Sequence, residues 1–364
     1  MNAAKAAAGR LAFIDWTRGF AAVVMIQGHV FHSFTRTDLR DKGPFMLSQL
    51  LGGLPPAMFL FLTGITFAFL MHSQEKKAAS SEKRVAAALK RSRYLFLLAF
   101  LFRLQLYVFG FPTSPAIGML KVDILNCMGM AMLLLAPMAV FSTRERIRLC
   151  TILGLLIAGL SPLVSSMDVS GAPVLLQNYF VPSLDYFGFF PWASFLAFGM
   201  AAGSILRVVK PEDMNRTMLW MLAVGLGLIT GAHYASELPY SFYPNSDFWL
   251  NSPWLILIKL GVTLAVLAGA YLWVNLGAEV QRWSVFVQLG TTSLIVYWVH
   301  IEIVYGRWLG IWKEGLSVPQ VLTFTAVLLV AMVLLSIGQT RYSHLFTFWK
   351  ASPVSKPQTA ASGD

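Results

Sequence analysis

Three ionisable residues near the N-terminus have the types and the spacing of a proton-transfer site. Asp15 and Arg18 are three residues apart, and His29 follows Arg18 by eleven residues, close to three helical turns. On a helix the three side chains therefore lie near one stripe, with His29 roughly 16 Å along the axis from Arg18. A buried neutral imidazole accepts and returns a proton near physiological pH. The pattern predicts either a general base at His29 or a histidine that hydrogen-bonds a neighbouring helix, and Asp15 and Arg18 either support it or anchor the helix.

Further ionisable residues lie inside apolar runs, where they are costly and therefore indicate function. Arg103 lies deep in one such run, and Asp123, near the start of the next, is a candidate partner. A guanidinium at that depth forms a structural ion pair or holds an anionic or developing oxyanionic group. Late in the chain, one apolar run contains four polar residues: Ser293, Tyr297, His300 and Glu302. By helical spacing the first three share a face and the fourth points elsewhere.

The elements that position these residues are membrane helices. Of the 364 residues, 57% are hydrophobic and 12% are charged, against about 25% charged in soluble domains. The mean hydropathy is +0.64. This composition excludes an ordinary cytosolic enzyme, a disordered chain and a disulfide scaffold. The two cysteines form no CxxC motif or cluster with histidine, so we expect no metal.

About ten runs are long enough to span a bilayer, which takes roughly 20 apolar residues. They cover 14–34, 48–71, 93–111, 120–141, 147–163, 187–206, 217–236, 253–275, 284–304 and 318–338. We therefore predict an all-α fold, a polytopic membrane helical bundle of about ten transmembrane helices. Residues 1–340 form one transmembrane domain, and 341–364 are predicted to be a disordered tail.

The distribution of basic residues orients these spans. Most of the 28 Lys and Arg residues fall on the side of the N-terminus, with a dense run from Lys76 to Arg93. Cytoplasmic loops carry such an excess, so both termini are expected in the cytoplasm of a multi-pass inner (plasma) membrane protein. These cytoplasmic basic residues, which lie next to the bilayer, account for the net charge of +11. No nucleic-acid partner is therefore expected.

Five stretches carry motifs: IDWTRGFAAVVMIQGH, PPAMFLFLTGITFAF, KVDILNCMG, FGFFPWASFLAFGMAAG and the pattern of Gly290, Ser293, Tyr297 and His300. In this order they resemble motifs of the acyltransferase-3 superfamily of membrane acyltransferases. The third and fourth resemble its bacterial heparan-alpha-glucosaminide N-acetyltransferase catalytic-domain-like branch. The resemblance covers roughly residues 10–304. It implies that His29, at the position of the family's catalytic histidine, is catalytic, and it gives weight to Asp123.

The resemblance implies a bundle that takes an acyl group from cytoplasmic acyl-CoA, with acetyl-CoA the expected co-substrate. The group passes to a hydroxyl or amine of a sugar or polysaccharide on the far side, so the activity is an O- or N-acetyltransferase. Members of the superfamily often show an Arg–x–x–Arg pair at the inner end of the third span, where this chain reads LKRSRYLF. Lys90, Arg91 and Arg93 are therefore the expected contacts of the CoA phosphates, although the same run also serves as an orientation signal.

In the expected mechanism His29 is the general base, or alternatively forms a transient acyl-histidine. Arg103 or His300 stabilises the oxyanion, and Asp123 or Glu302 orients one of these partners. The competing interpretation is a proton-coupled secondary transporter of a small or anionic solute, because buried charges also build proton relays. A non-catalytic membrane partner is a third class. The ordered motifs favour the enzyme, and the sequence leaves the acceptor, the acyl group and the oligomeric state open.

Overall fold

The structure is a computed structural model, and it describes residues 11–112, 116–243, 245–276 and 283–342. Within these ranges the chain is helical, and its β pairing is limited to one isolated bridge between Thr35 and Leu316. The all-α prediction is confirmed. The tail predicted over 341–364 lies outside the described residues except for its first two.

Each of the ten apolar runs contains a helix. In chain order the helices are α1 (Ala12–Phe34), α2 (Gly43–Gly52), α3 (Pro55–Lys76), α4 (Ser81–Gly110), α5 (Ile124–Leu135), α6 (Thr143–Ser165), α7 (Val174–Phe180), α8 (Phe189–Val208), α9 (Met214–Ser236), α10 (Pro253–Leu276), α11 (Val285–Thr291), α12 (Ser293–Tyr305) and α13 (Val318–Arg341). Two short helices, α2 and α7, lie in segments predicted to be wholly or partly loops. The run predicted over 284–304 is broken into α11 and α12, which meet at 87°.

The length and composition of its helices show that this chain is a multi-pass membrane protein. Seven helical segments of the described chain are long and apolar enough to cross a membrane, and the bent pair α11 and α12 brings the number to eight. The other two predicted spans correspond to α1, whose polar residues lower its mean hydropathy, and α5, which is shorter. A helix surrounded by other helices need not be apolar, because it does not face lipid.

Helix α1 occupies that central position. It packs against α2, α3, α10, α11, α12 and α13. Its backbone touches that of α11, since a Cβ atom added at Gly19 or at Gly290 would lie 1.8 Å from the carbonyl oxygen of Phe286 or Asp15, respectively. Side chains at these glycines would force the two helices apart. Two glycines of the sequence motifs therefore hold α1 against the broken helix.

A second close pairing joins α3 to α8. A Cβ atom at Gly64 would lie 2.1 Å from the carbonyl oxygen of Leu196, and one at Gly199 would lie 2.0 Å from that of Phe61. Small residues allow this backbone approach between membrane helices. The glycine of the second motif is thus a packing residue of the α3–α8 pair, and α3 also packs against α1.

Candidate functional site

One cavity of about 880 Å³ runs between α1, α3, α4, α5, α11 and α12. At the end where α1 begins, its lining includes Arg18, Arg91 and Gln339, which we call the basic mouth. At the end where α1 finishes, its lining includes His32, Lys121 and Asp185, which we call the opposite mouth. The cavity therefore extends through most of the bundle, and the polar residues that the sequence places at membrane depth lie between its mouths.

His29 lies on the cavity wall and contacts His300 of α12. His29 Nδ1 is 3.0 Å from His300 Nε2, and the rings are nearly parallel, with centroids 5.3 Å apart. His300 has no exposed surface, and its Nδ1 lies 2.8 Å from the carbonyl oxygen of Val296. The structure thus brings together two histidines that are 271 residues apart in the sequence. Ser293 and Tyr297, on the same face of α12, also line the cavity.

Arg103 and Asp123 form the expected pair on the cavity wall. Arg103 Nε lies 3.0 Å from Asp123 Oδ2, and the two side chains are 15% and 7% exposed. The contact lacks the alignment of a hydrogen bond, so it is an ion pair. The other oxygen, Asp123 Oδ1, caps α5 by accepting the backbone N–H groups of Leu125 at 3.0 Å and Asn126 at 3.1 Å. Aspartate is favoured at this position because it satisfies the first amides of the helix. Asp123 therefore fixes Arg103 relative to α5.

Helix α4 presents one stripe to the cavity. Its members recur at helical spacing: Arg91, Tyr94, Leu95, Leu98, Phe102, Arg103 and Leu106. Arg91 begins this stripe at the basic mouth, with its guanidinium 5.3 Å from the centre of the Tyr94 ring. Lys90, Arg91 and Arg93 are all exposed, but Lys90 and Arg93 lie outside the cavity lining. Of the three residues expected to contact CoA phosphates, only Arg91 therefore faces the cavity.

Asp15 and Arg18 form the ion pair that their spacing predicts. Arg18 Nη1 lies 3.0 Å from Asp15 Oδ1, and the Arg18 side chain is 18% exposed where it lines the basic mouth. Gln339 of α13 lines the same mouth, and its amide oxygen is buried without a hydrogen-bond partner. The Asp15 carboxylate offsets the charge of Arg18, so Arg91 supplies the net positive charge among these residues, and Arg18 adds a guanidinium group from a second helix.

Glu302 lies away from the histidine pair. Its carboxylate accepts hydrogen bonds of 2.8 Å from Gln105 and from the indole of Trp308, and the Trp298 indole donates to Gln105. These contacts tie α12 to α4. The spacing of Glu302 already placed it on another face of α12. Among the described residues, no contact supports the expectation that it orients a catalytic partner.

Sequence reasoning missed Tyr305 as part of the site. Its ring packs edge-on against His29, with centroids 5.3 Å apart, and its hydroxyl lies 3.5 Å from His32 Nδ1. Both Tyr305 and His32 line the cavity toward the opposite mouth. Lys121 and Asp185, from the two segments that flank this mouth, were also missed. They lie in irregular segments, for which helical periodicity gives no signal.

The chain was compared with known proteins. The family model for heparan-alpha-glucosaminide N-acetyltransferase, catalytic, matches residues 10–233. That segment covers more than half of the chain and contains His29, Arg91, Arg103 and Asp123, whereas His300 lies beyond it. No curated protein matches the chain. The chain therefore belongs to the heparan-alpha-glucosaminide N-acetyltransferase catalytic family, which implies transmembrane acetyltransferase activity.

Proposed function

We propose that this protein transfers an acyl group, acetyl in the first instance, from cytoplasmic acyl-CoA to a hydroxyl or amine of a glycan across the membrane. The observation that carries the proposal is the cavity between the basic mouth and the opposite mouth, with His29 on its wall. Two substrates that enter from opposite faces meet in such a cavity without either crossing the bilayer. Holding both in one site also lowers the entropic part of the barrier.

The basic mouth is the proposed site for the acyl donor. The excess of Lys and Arg on the side of the N-terminus favours a cytoplasmic location for this mouth. Arg18 and Arg91 offer guanidinium groups to phosphates, which are recognised well by planar, bidentate hydrogen-bond donors. Arg91 and Arg103 are twelve residues apart on one stripe of α4, about 18 Å along the axis. The extended pantetheine arm of CoA suits a path of this kind.

The reaction proposed at the middle of the cavity is a direct transfer. His29 takes the proton of the acceptor O–H or N–H as the acceptor atom forms a bond to the thioester carbonyl carbon. The carbonyl oxygen becomes an oxyanion, which the terminal nitrogens of Arg103 stabilise, while Asp123 holds the other edge of that guanidinium. The C–S bond then breaks, and the proton on His29 passes to the thiolate. The products are the acylated acceptor and free CoA.

The test of the catalytic part is the variant His29→Gln. Loss of a general base lowers turnover by about 10²- to 10⁴-fold, while the folded protein and its acetyl-CoA binding are expected to persist. Turnover is measured as release of free CoA thiol in the presence of an acceptor mixture of amino sugars and oligosaccharides. Turnover equal to that of the unmodified protein would refute the role of His29.

The donor part is tested by acetyl-CoA binding to the purified protein. Arg91→Ala is expected to weaken binding about tenfold, the effect of losing one charge-assisted contact worth about 1.5 kcal/mol. Lys90→Ala is the matched control, since it removes the same charge one residue away but outside the cavity lining. Equal effects of the two variants would refute a specific phosphate contact. No binding to a folded, monodisperse sample would overturn the enzyme assignment in favour of a transporter.

A further inference from the structure

We infer that His300 is a positioning residue that sets the tautomer of His29, leaving the unprotonated Nε2 of His29 available as the base. The catalytic meaning of this inference rests on the proposed function, whereas the tautomer itself does not. The inference follows from three groups in series: the Val296 carbonyl, the His300 ring and the His29 ring. Each contact restricts where the next proton lies.

The first group in the series, the Val296 carbonyl, can only accept a hydrogen bond. The carbonyl oxygen of Val296 lies 2.8 Å from His300 Nδ1, so that nitrogen must carry the hydrogen. The alternative would set two lone pairs against each other at this distance. A neutral imidazole has one N–H and one acceptor nitrogen. His300 Nε2 is therefore the acceptor when the ring is neutral.

The contact between the two histidines then determines which nitrogen of His29 carries the hydrogen. Because His300 Nε2 accepts, His29 Nδ1, at 3.0 Å, must donate. His29 Nε2 is then left with its lone pair, and a lone pair on that nitrogen is what a general base needs. Without such a partner, the His29 imidazole can carry its hydrogen on Nε2, and that nitrogen then cannot act as the base.

Burial keeps the partner ring neutral. His300 has no exposed surface, and a charge there would be costly without a counter-ion. Among the described residues no carboxylate lies within hydrogen-bond distance of either ring, and the rings packed against the pair are those of Tyr297 and Tyr305. His29 is thus oriented by a neutral imidazole where serine hydrolases use a carboxylate. A neutral partner stabilises the imidazolium less, which favours onward transfer of its proton to the thiolate.

The same contacts leave no ring N–H of His300 for the oxyanion. One nitrogen donates to the Val296 carbonyl and the other accepts from His29, so neither is directed at a substrate. Of the two oxyanion candidates that the sequence offers, the geometry favours Arg103. His300 therefore acts through His29 and does not touch the reacting atoms.

The test compares His300→Gln with His300→Leu. The glutamine amide oxygen can occupy the position of Nε2 and accept from His29, whereas leucine has a similar volume and no acceptor. We expect His300→Leu to lower kcat about 10- to 100-fold, the size of effect seen when a metal-bound histidine loses the partner that orients it, with KM for acetyl-CoA nearly unchanged. His300→Gln is expected to retain kcat within a few-fold. Equal losses in both variants would overturn the inference.

A spectroscopic readout separates the tautomer from activity. In protein labelled with ¹⁵N at its six histidines, the His29 signals are identified by their loss in His29→Gln. We expect protonated Nδ1 and unprotonated Nε2 in the unmodified protein and in His300→Gln, and protonation of Nε2 in His300→Leu. A hydrogen on Nε2 of His29 in the unmodified protein would refute the inference, even if His300→Leu fails to fold. If the tautomer is as expected but His29→Gln keeps full turnover, the proposed function fails and the tautomer assignment stands.

Discussion

Substitutions of Asp123 test how the site is stabilised, because its two carboxylate oxygens make different contacts. Oδ1 caps α5 through the amides of Leu125 and Asn126, and Oδ2 pairs with Arg103. Asp123→Asn keeps an oxygen for the cap, since asparagine is an equally good N-cap residue. It removes the negative charge. Asp123→Ala removes both the capping oxygen and the negative charge, so the two variants separate the cap from the ion pair.

The expected magnitudes follow from burial. Breaking a fully buried ion pair costs about 3–5 kcal/mol, because one charge is left unpaired. Arg103 is 15% exposed toward the cavity, and water there lowers the cost, so we expect about 2 kcal/mol for Asp123→Asn. Loss of the cap adds about 1 kcal/mol. Asp123→Ala should therefore lower the free energy of unfolding by about 3 kcal/mol.

The assay is unfolding of the purified protein in mild detergent, followed by loss of helical circular dichroism. Arg103→Gln and the double variant Arg103→Gln/Asp123→Asn complete a cycle, and we expect a coupling of at least about 1 kcal/mol between the two sites. The reasoning is refuted if Asp123→Asn leaves the free energy of unfolding unchanged, since the cap would then account for the whole effect of Asp123→Ala. Additive effects in the double variant would likewise refute the ion pair.

Three further predictions concern packing and charge. Gly290→Val should prevent recovery of monodisperse protein, because its Cβ would lie 1.8 Å from an α1 carbonyl oxygen, whereas Gly227→Val, with no atom within 4 Å, should behave normally in size-exclusion chromatography. Glu75→Gln removes the ion-pair partner, 3.0 Å away, of the fully buried Arg146 side chain, and should cost about 2 kcal/mol of unfolding free energy; an unchanged melting temperature would contradict this. Glu302→Gln should leave turnover within about threefold, because this carboxylate bonds to residues outside the histidine pair; a loss of 100-fold would restore the expectation that Glu302 orients a catalytic partner.

Helix positions were largely predictable from apolar run length. The run 253–275, for example, is matched by α10 at Pro253–Leu276 to within one residue at each end. The break at Thr292 was not predicted, because the run over 284–304 is long and apolar enough for one span despite its polar residues. In the structure the run bends by 87°, and α11 packs on α1. Nor could hydropathy show that α1 lies at the centre of the bundle, although its polar residues are explained by that position.

The sequence by itself determined the class of the molecule. Its apolar runs of roughly 20 residues are too long and too numerous for one water-soluble core, and a helix pairs the backbone groups of such a run within the membrane. Ionisable residues at that depth then had to be functional or paired, which was sufficient to select His29, Arg103 and Asp123. The pairing of Arg103 with Asp123 was within reach because they lie on neighbouring helices.

The tertiary structure decided which partners the catalytic candidates have. His29 and His300 are 271 residues apart, and no local spacing predicts their 3.0 Å contact. Arg91 and Lys90 have the same charge in the same run, and only the rotation of α4 about its axis turns one into the cavity and leaves the other outside. The physical reason is common to both cases. Helical periodicity defines the faces of one helix, but the face that meets a given neighbour is set by the packing of the whole bundle.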